Sequence, residues 1–177
     1  MTHQLRTAET LARLQGIKIN EREMVENWIL ITYDLPGTEE GIRARGIFLK
    51  EAPKFGAVMH SRSVYLMPLT DEAQIAAVNL SKVKAGTVYV WTSKVDPEQA
   101  QTLTKFYDTK LDIQIDAIRN RIKKMEKLEL DNKYGLANRM RIKTTKLFNH
   151  LLFAVAQRGS AEVFNKLLNI EKQLIEK

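Results

Sequence analysis

Hydrophobic and polar positions follow two regimes along this chain. In the first, short apolar runs alternate with turn signals. Residues 28–33 are β-branched, aromatic and almost continuously apolar, the profile of a central strand buried on both faces. Asp34-Leu35-Pro36-Gly37 breaks that run, and Thr38 stands where it can cap a helix whose first turn holds Glu39 and Glu40. This helix presents Ile42, Gly46, Leu49 and Ala52 on one side, and Pro53 and Gly56 close it. Residues 57–60 and 63–67 predict two strands joined at Ser61-Arg62, the second ended by Pro68. Thr70-Asp71-Glu72 starts another helix through Ile75, Ala76 and Val78, and residues 87–92, after Gly86, predict a last strand.

The second regime has helical period. Asp96 caps a long helix in which Tyr107, Leu111, Ile115, Ile118, Ile122 and Met125 recur at spacings of three and four. Residues 132–135 interrupt it. A second helix carries Leu136, Met140, Leu147, Leu151 and Val155 and ends at Gly159. Ser160 caps a third, with Phe164, Leu167, Leu168, Leu174 and Ile175. At the other end of the chain, residues 4–15 predict a short amphipathic helix stopped by Gly16. The expected fold is α+β: a short helix and lead-in over 1–25, a β-α-β-β-α-β ferredoxin-like domain over 26–95, and a helical bundle over 96–177. Such a domain sets both helices on one face of a four-stranded antiparallel sheet. The other face needs a cover, for which the C-terminal helices are the candidate.

Composition narrows the chemistry. The 177 residues are 44% hydrophobic, ample for a core, and contain no cysteine. Disulfides, thiolate metal sites and cysteine nucleophiles are thereby excluded. His3, His60 and His150 are too scattered for a zinc motif. The first residues lack the apolar core of a signal peptide, and no run approaches the ~18–20 apolar residues of a membrane span. A soluble, cytoplasmic protein with no membrane partner is expected.

Charge changes the picture most. Residues 119–146 hold ten basic side chains against Glu126, Glu129 and Asp131, so this segment carries +7, the whole net charge of the chain. A concentrated excess builds a local field that attracts polyanions, where a uniform one speaks mainly to solubility. Arg139, Lys143, Lys146 and His150 fall at spacings of four, three and four, one stripe of a helix. Arg119, Arg121, Lys123, Lys124 and Lys127 instead spread around the polar face of the preceding helix, a pattern that ordinary solvated surface also produces. Few aromatics interleave with these charges, which favours backbone contact with a duplex over stacking on single strands.

The strand-turn-helix-hairpin core resembles a known group of ferredoxin-like domains. Residues 28–36 are similar to that group's first strand and turn, Arg43 and Arg45 fall in the helix where those families place arginines, and residues 55–58 and 63–68 are similar to its glycine-led hairpin. The group includes the CRISPR-associated adaptation-subunit nucleases, the C-terminal domain of PaaX-type repressors and the N-terminal region of the chromate-resistance protein ChrB. ChrB resembles the chain over the greatest length, about residues 27–177, through the acidic-capped helix from Asp96 past Phe106. The resemblance implies nucleic-acid-linked work, either repression or strand handling by a homodimer. It also implies a role for Asp34, which in the nucleases closes the first strand and binds a metal ion at a dimer interface. The residues themselves leave open that Asp34 accepts backbone hydrogen bonds in its turn. His60, Ser61 and Ser63 are better taken as turn residues than as a nucleophile and base.

The expected function is that of a non-enzymatic, dimeric DNA-binding regulator without cofactor. Arg139, Lys143 and Lys146 would contact phosphates of duplex DNA, with Arg119, Lys123, Lys124 and Lys127 adding to the field. The alternative is a nuclease in which Asp34 from two subunits holds one Mg²⁺.

Overall fold

The computed structural model describes residues 25–82, 85–158 and 161–175. The short N-terminal helix expected over 4–15, with Gly16, and the Gly159–Ser160 boundary lie outside the described residues. The chain is α+β and divides into two compact units, one ending at Tyr107 and the other beginning at Asp108.

The first unit holds strands β1 (Asn27–Asp34), β2 (Val58–Ser61), β3 (Val64–Pro68) and β4 (Thr87–Lys94), with helices α1 (Glu39–Glu51) and α2 (Asp71–Ser81). All neighbouring strands pair antiparallel in the order β2-β3-β1-β4, which makes β1 an interior strand as its continuous hydrophobicity requires. The helix starts follow from their caps: Thr38 Oγ1 accepts from Gly41 N at 3.3 Å, and Thr70 Oγ1 from Ala73 N at 3.1 Å. A 3₁₀ turn, Ala52–Phe55, follows α1 and ends at Gly56, whose φ of 78° is the left-handed conformation glycine adopts freely. Gly86 has no alternative residue: its φ is +79°, and a Cβ there would lie 2.2 Å from Asp34 O.

Both helices cover one sheet face. Ile29, Ile31, Tyr33, Tyr65 and Met67 meet Ala44, Phe48 and Ala52 from the α1 side and Ala73, Ala77 and Leu80 from α2. The buried side of α1 differs from the expected one, of which only Ala52 is buried. α1 buries Gly41, Ala44 and Phe48 and exposes Ile42, Gly46 and Leu49; α2 buries Ala73, Ala76, Ala77 and Leu80 and exposes Ile75 and Val78. Small side chains let a helix approach a sheet closely, so the contact selects alanine over the larger apolar residues. Gly41 is set instead by the turn before the helix, where a Cβ would lie 2.0 Å from Pro36 O.

On the opposite face, Trp28 is fully buried and lies edge-on to Tyr107, with ring centroids 5.9 Å apart. Tyr107 Oη donates to Gly56 O at 2.6 Å. Tyr107 belongs to α3 (Pro97–Leu130), whose start is capped by Asp96 Oδ1 accepting from Gln99 N at 2.9 Å.

The second unit contains the rest of α3, then α4 (Tyr134–Arg158) and α5 (Ala161–Ile175). Its core joins Leu111, Ile115, Ile118, Ile122 and Met125 of α3 with Phe148, Leu151, Leu152 and Val155 of α4 and Val163, Phe164, Leu167 and Ile170 of α5. Asn132, at φ 59°, turns the chain between α3 and α4, where Lys133 N donates to Leu128 O at 2.8 Å. No described helix is long and apolar enough to cross a membrane.

Candidate nucleic-acid interface

Helix α4 is the element of the second unit whose charge is all of one sign. It carries no acidic residue in its 25 positions. Its buried residues are Ala137, Thr144, Phe148, Leu151, Leu152, Ala154 and Val155, and all but Ala154, near the C-terminal end, share one seam. Leu136, expected on that seam, is 53% exposed, and Met140 and Leu147 are half-buried, so the seam is rotated from the expected one. Thr144 enters an apolar seam because its hydroxyl donates to Met140 O at 2.9 Å, one turn back.

The seam fixes where the charges point. At about 100° per residue, Arg139, Lys143 and Lys146 fall within about 60° of arc on the side opposite Ala137 and Phe148. All three are exposed, and among the described residues none of them has an ion-pair partner. The first and last are seven residues apart, about 10 Å along the axis. His150, the fourth member of the stripe, is half-buried. Arg141 lies about 170° around the helix from the centre of the stripe, on the seam side, and pairs with Glu129 of α3 at 2.5 Å.

The basic residues of α3 are arranged otherwise. Arg121, Lys123, Lys124 and Lys127 are exposed, while Arg119 is half-buried and pairs with Asp116 at 2.9 Å. Together they cover about 200° of the helix circumference. Lys133, in the turn, is matched by Asp131 at 3.4 Å. The arrangement supplies a narrow cationic strip on α4 and a diffuse positive field along α3. Such a strip can neutralise a row of backbone phosphates, which carries affinity without reading sequence.

The remaining candidates sit in the first unit. Asp34 is exposed at the end of β1, opposite Thr87, and among the described residues its carboxylate accepts no hydrogen bond. The turn role considered for it is therefore not the one it plays. No group of three or more His, Cys, Asp or Glu that could hold a metal ion occurs among the described residues. Arg43 pairs with Glu39 one turn earlier on α1, and Arg45 donates to Leu35 O at 3.3 Å. At the β2–β3 turn it is main-chain carbonyls that are used: Tyr33 N donates to Ser63 O and Tyr33 Oη to Arg62 O. The His60 ring stands 5.0 Å from Phe106, beside an aromatic rather than a nucleophile.

One surface feature escaped the sequence reading. Tyr89 and Trp91 on β4 are 51% and 57% exposed and stack at 6.1 Å on the face away from α1 and α2. Their i, i+2 spacing in the sequence was the available signal. No family model, curated protein or solved structure matches the chain.

Proposed function

We propose that this protein binds nucleic acid, as a dimeric regulator that holds duplex DNA by its phosphate backbone. Arg139, Lys143 and Lys146 make the contacts, and Lys123, Lys124, Lys127 and, less strongly, the paired Arg119 add to the field. The observation that carries this reading is a carboxylate-free α4 with three exposed, unmatched cations opposite its buried seam. The first unit is taken as ferredoxin-like, in keeping with its β-α-β-β-α-β order and both helices on one sheet face.

If about five phosphates are neutralised, the log–log salt slope of duplex binding should lie near −4 to −5. Each contact carries about 0.9 log unit per decade of salt, so replacing Arg139, Lys143 and Lys146 together by glutamate should cost roughly 100- to 1000-fold at 0.1 M salt. All three are exposed, so circular dichroism should be unchanged. Unaltered affinity in that variant ends the proposal, and binding of an acidic protein that survives nuclease treatment replaces it.

The nuclease reading rests on Asp34, whose exposed carboxylate is unclaimed by its own turn. It requires Mg²⁺- or Mn²⁺-dependent cleavage that is lost in Asp34→Asn with DNA binding retained. Equal cleavage by both proteins, or none by either, disposes of it.

A further inference from the structure

The two edges of the sheet are built differently. β2 is four residues long, its register with β3 shifts between Met59 and Ser61, and His60 on it lies against Phe106. Short length, a bulge and a neighbouring side chain are the usual ways a protein blunts a free edge. β4 has none of them. It is eight residues long, TVYVWTSK, without proline and with one charge at its end.

Hydrogen-bond phase tells which β4 groups are free. Val95 N donates to Glu26 O at 2.8 Å, and Leu69 N to Asn27 O at 3.0 Å. With the observed registers, even-numbered β1 residues therefore bond β4 and odd-numbered ones bond β3. Thr87, Tyr89, Trp91 and Ser93 are the β4 residues that face β1. The backbone N–H and C=O groups of Val88, Val90, Thr92 and Lys94 point outward, and among the described residues no strand takes them up.

We infer that β4 is the seam of a homodimer, two copies pairing their β4 strands antiparallel about a two-fold axis at Val90 to join two four-stranded sheets into one of eight. The register is self-complementary. Val90 faces Val90 of the second copy and Val88 faces Thr92, so outward groups meet outward groups in about six hydrogen bonds. Between these pairs, Tyr89 falls opposite Trp91 in both directions. Two exposed aromatics then become a cluster of four across non-hydrogen-bonded pairs, where side chains approach most closely. Lys94, the strand's one charge, falls opposite Gly86, so no like charges meet. A second copy satisfies the hydrogen-bond phase, the aromatic pairing and the charge at once, from one strand. The pairing stands or falls separately from nucleic-acid binding.

The test uses the full chain. The native protein should sediment as a dimer. Val90→Pro removes an outward N–H while sparing every bond to β1, as edge strands tolerate, and should sediment as a monomer. Y89K/W91K sets lysines opposite lysines and should also be monomeric. Y89K/W91E restores opposite charges at the same pairs and should recover the dimer. Because the chain has no cysteine, mixing differently tagged Tyr89→Cys and Trp91→Cys chains under oxidation should give mostly the mixed disulfide, whatever the proline variant does to folding. A native monomer at the highest soluble concentration, a dimer indifferent to V90P and Y89K/W91K, or same-variant disulfides in excess overturns the inference. So does a native monomer whose Trp91 is shielded by an extended peptide or oligonucleotide.

Discussion

The basic stretches of α3 and α4 hold similar numbers of cations, five and four, and they differ in what lies behind them. Along α4 the buried seam leaves the opposite side to Arg139, Lys143 and Lys146, with no carboxylate on the helix. Along α3 a similar number of charges is distributed over more than half the circumference, and Arg119 is matched by Asp116. A phosphate row is a line, so charge placed along a line engages it, whereas charge wrapped around a cylinder contributes mainly a potential that salt screens. Placement decides the role, and the seam decides placement.

That contrast can be broken at the seam itself. Phe148 is fully buried in α4, so Phe148→Ala should cost about 3–5 kcal/mol in urea unfolding, with duplex affinity falling as the stripe loses its orientation. A loss under about 1 kcal/mol would mean that α4 is not held by this side. A smaller effect is expected from reversing Lys123, Lys124 and Lys127 to glutamate. This changes net charge as much as the α4 triple variant does, yet it should cost roughly tenfold in affinity, since diffuse field rather than phosphate contact is removed. Equal losses from the two triple variants would erase the distinction between the helices.

The smallest effect concerns a cation that is matched internally. Lys166 on α5 sits between Asp112 at 2.9 Å and Glu162 at 2.8 Å. Hydrogen bonding to Lys166 holds the Glu162 carboxyl below its ordinary range, and the bonds to Glu162 and then Asp112 raise the Lys166 ammonium. Glu162 thus adds stability above the carboxylate range, and that increment is lost as pH falls through it. Lys166 adds stability that is lost only as pH rises through its raised value. Lys166→Met should flatten the acid limb of the stability profile and leave DNA affinity unchanged. A steep acid limb retained in that variant would assign the slope to other carboxylates.

Local signals were legible in the sequence wherever the structure uses local rules. Thr38, Thr70 and Asp96 cap their helices, Gly56 closes the first helical stretch, and the four strands fall where the apolar runs place them. The α4 stripe was legible for the same reason, since helical spacing alone sets it. The helix faces were not. Hydropathy ranks Ile42, Leu49, Ile75 and Val78 above the alanines, but close approach to the sheet rewards Ala44, Ala73 and Ala77, and the larger residues are left outside. Thr144 was hidden because a hydroxyl that satisfies itself on the preceding turn behaves in a seam like an apolar group. Tyr89 and Trp91 read only as residues of a last strand, because whether a strand is central or at an edge depends on partners distant in sequence. The cationic strip was therefore foreseeable and the aromatic pair was not.

The chain's two tryptophans lie in opposite environments, Trp28 fully enclosed and Trp91 more than half open to solvent. Their fluorescence therefore separates without a label. A water-soluble quencher reaches the emission of one and spares the other. Anything that settles on β4 shifts the quenchable part alone, while melting of the sheet brings the protected part into view.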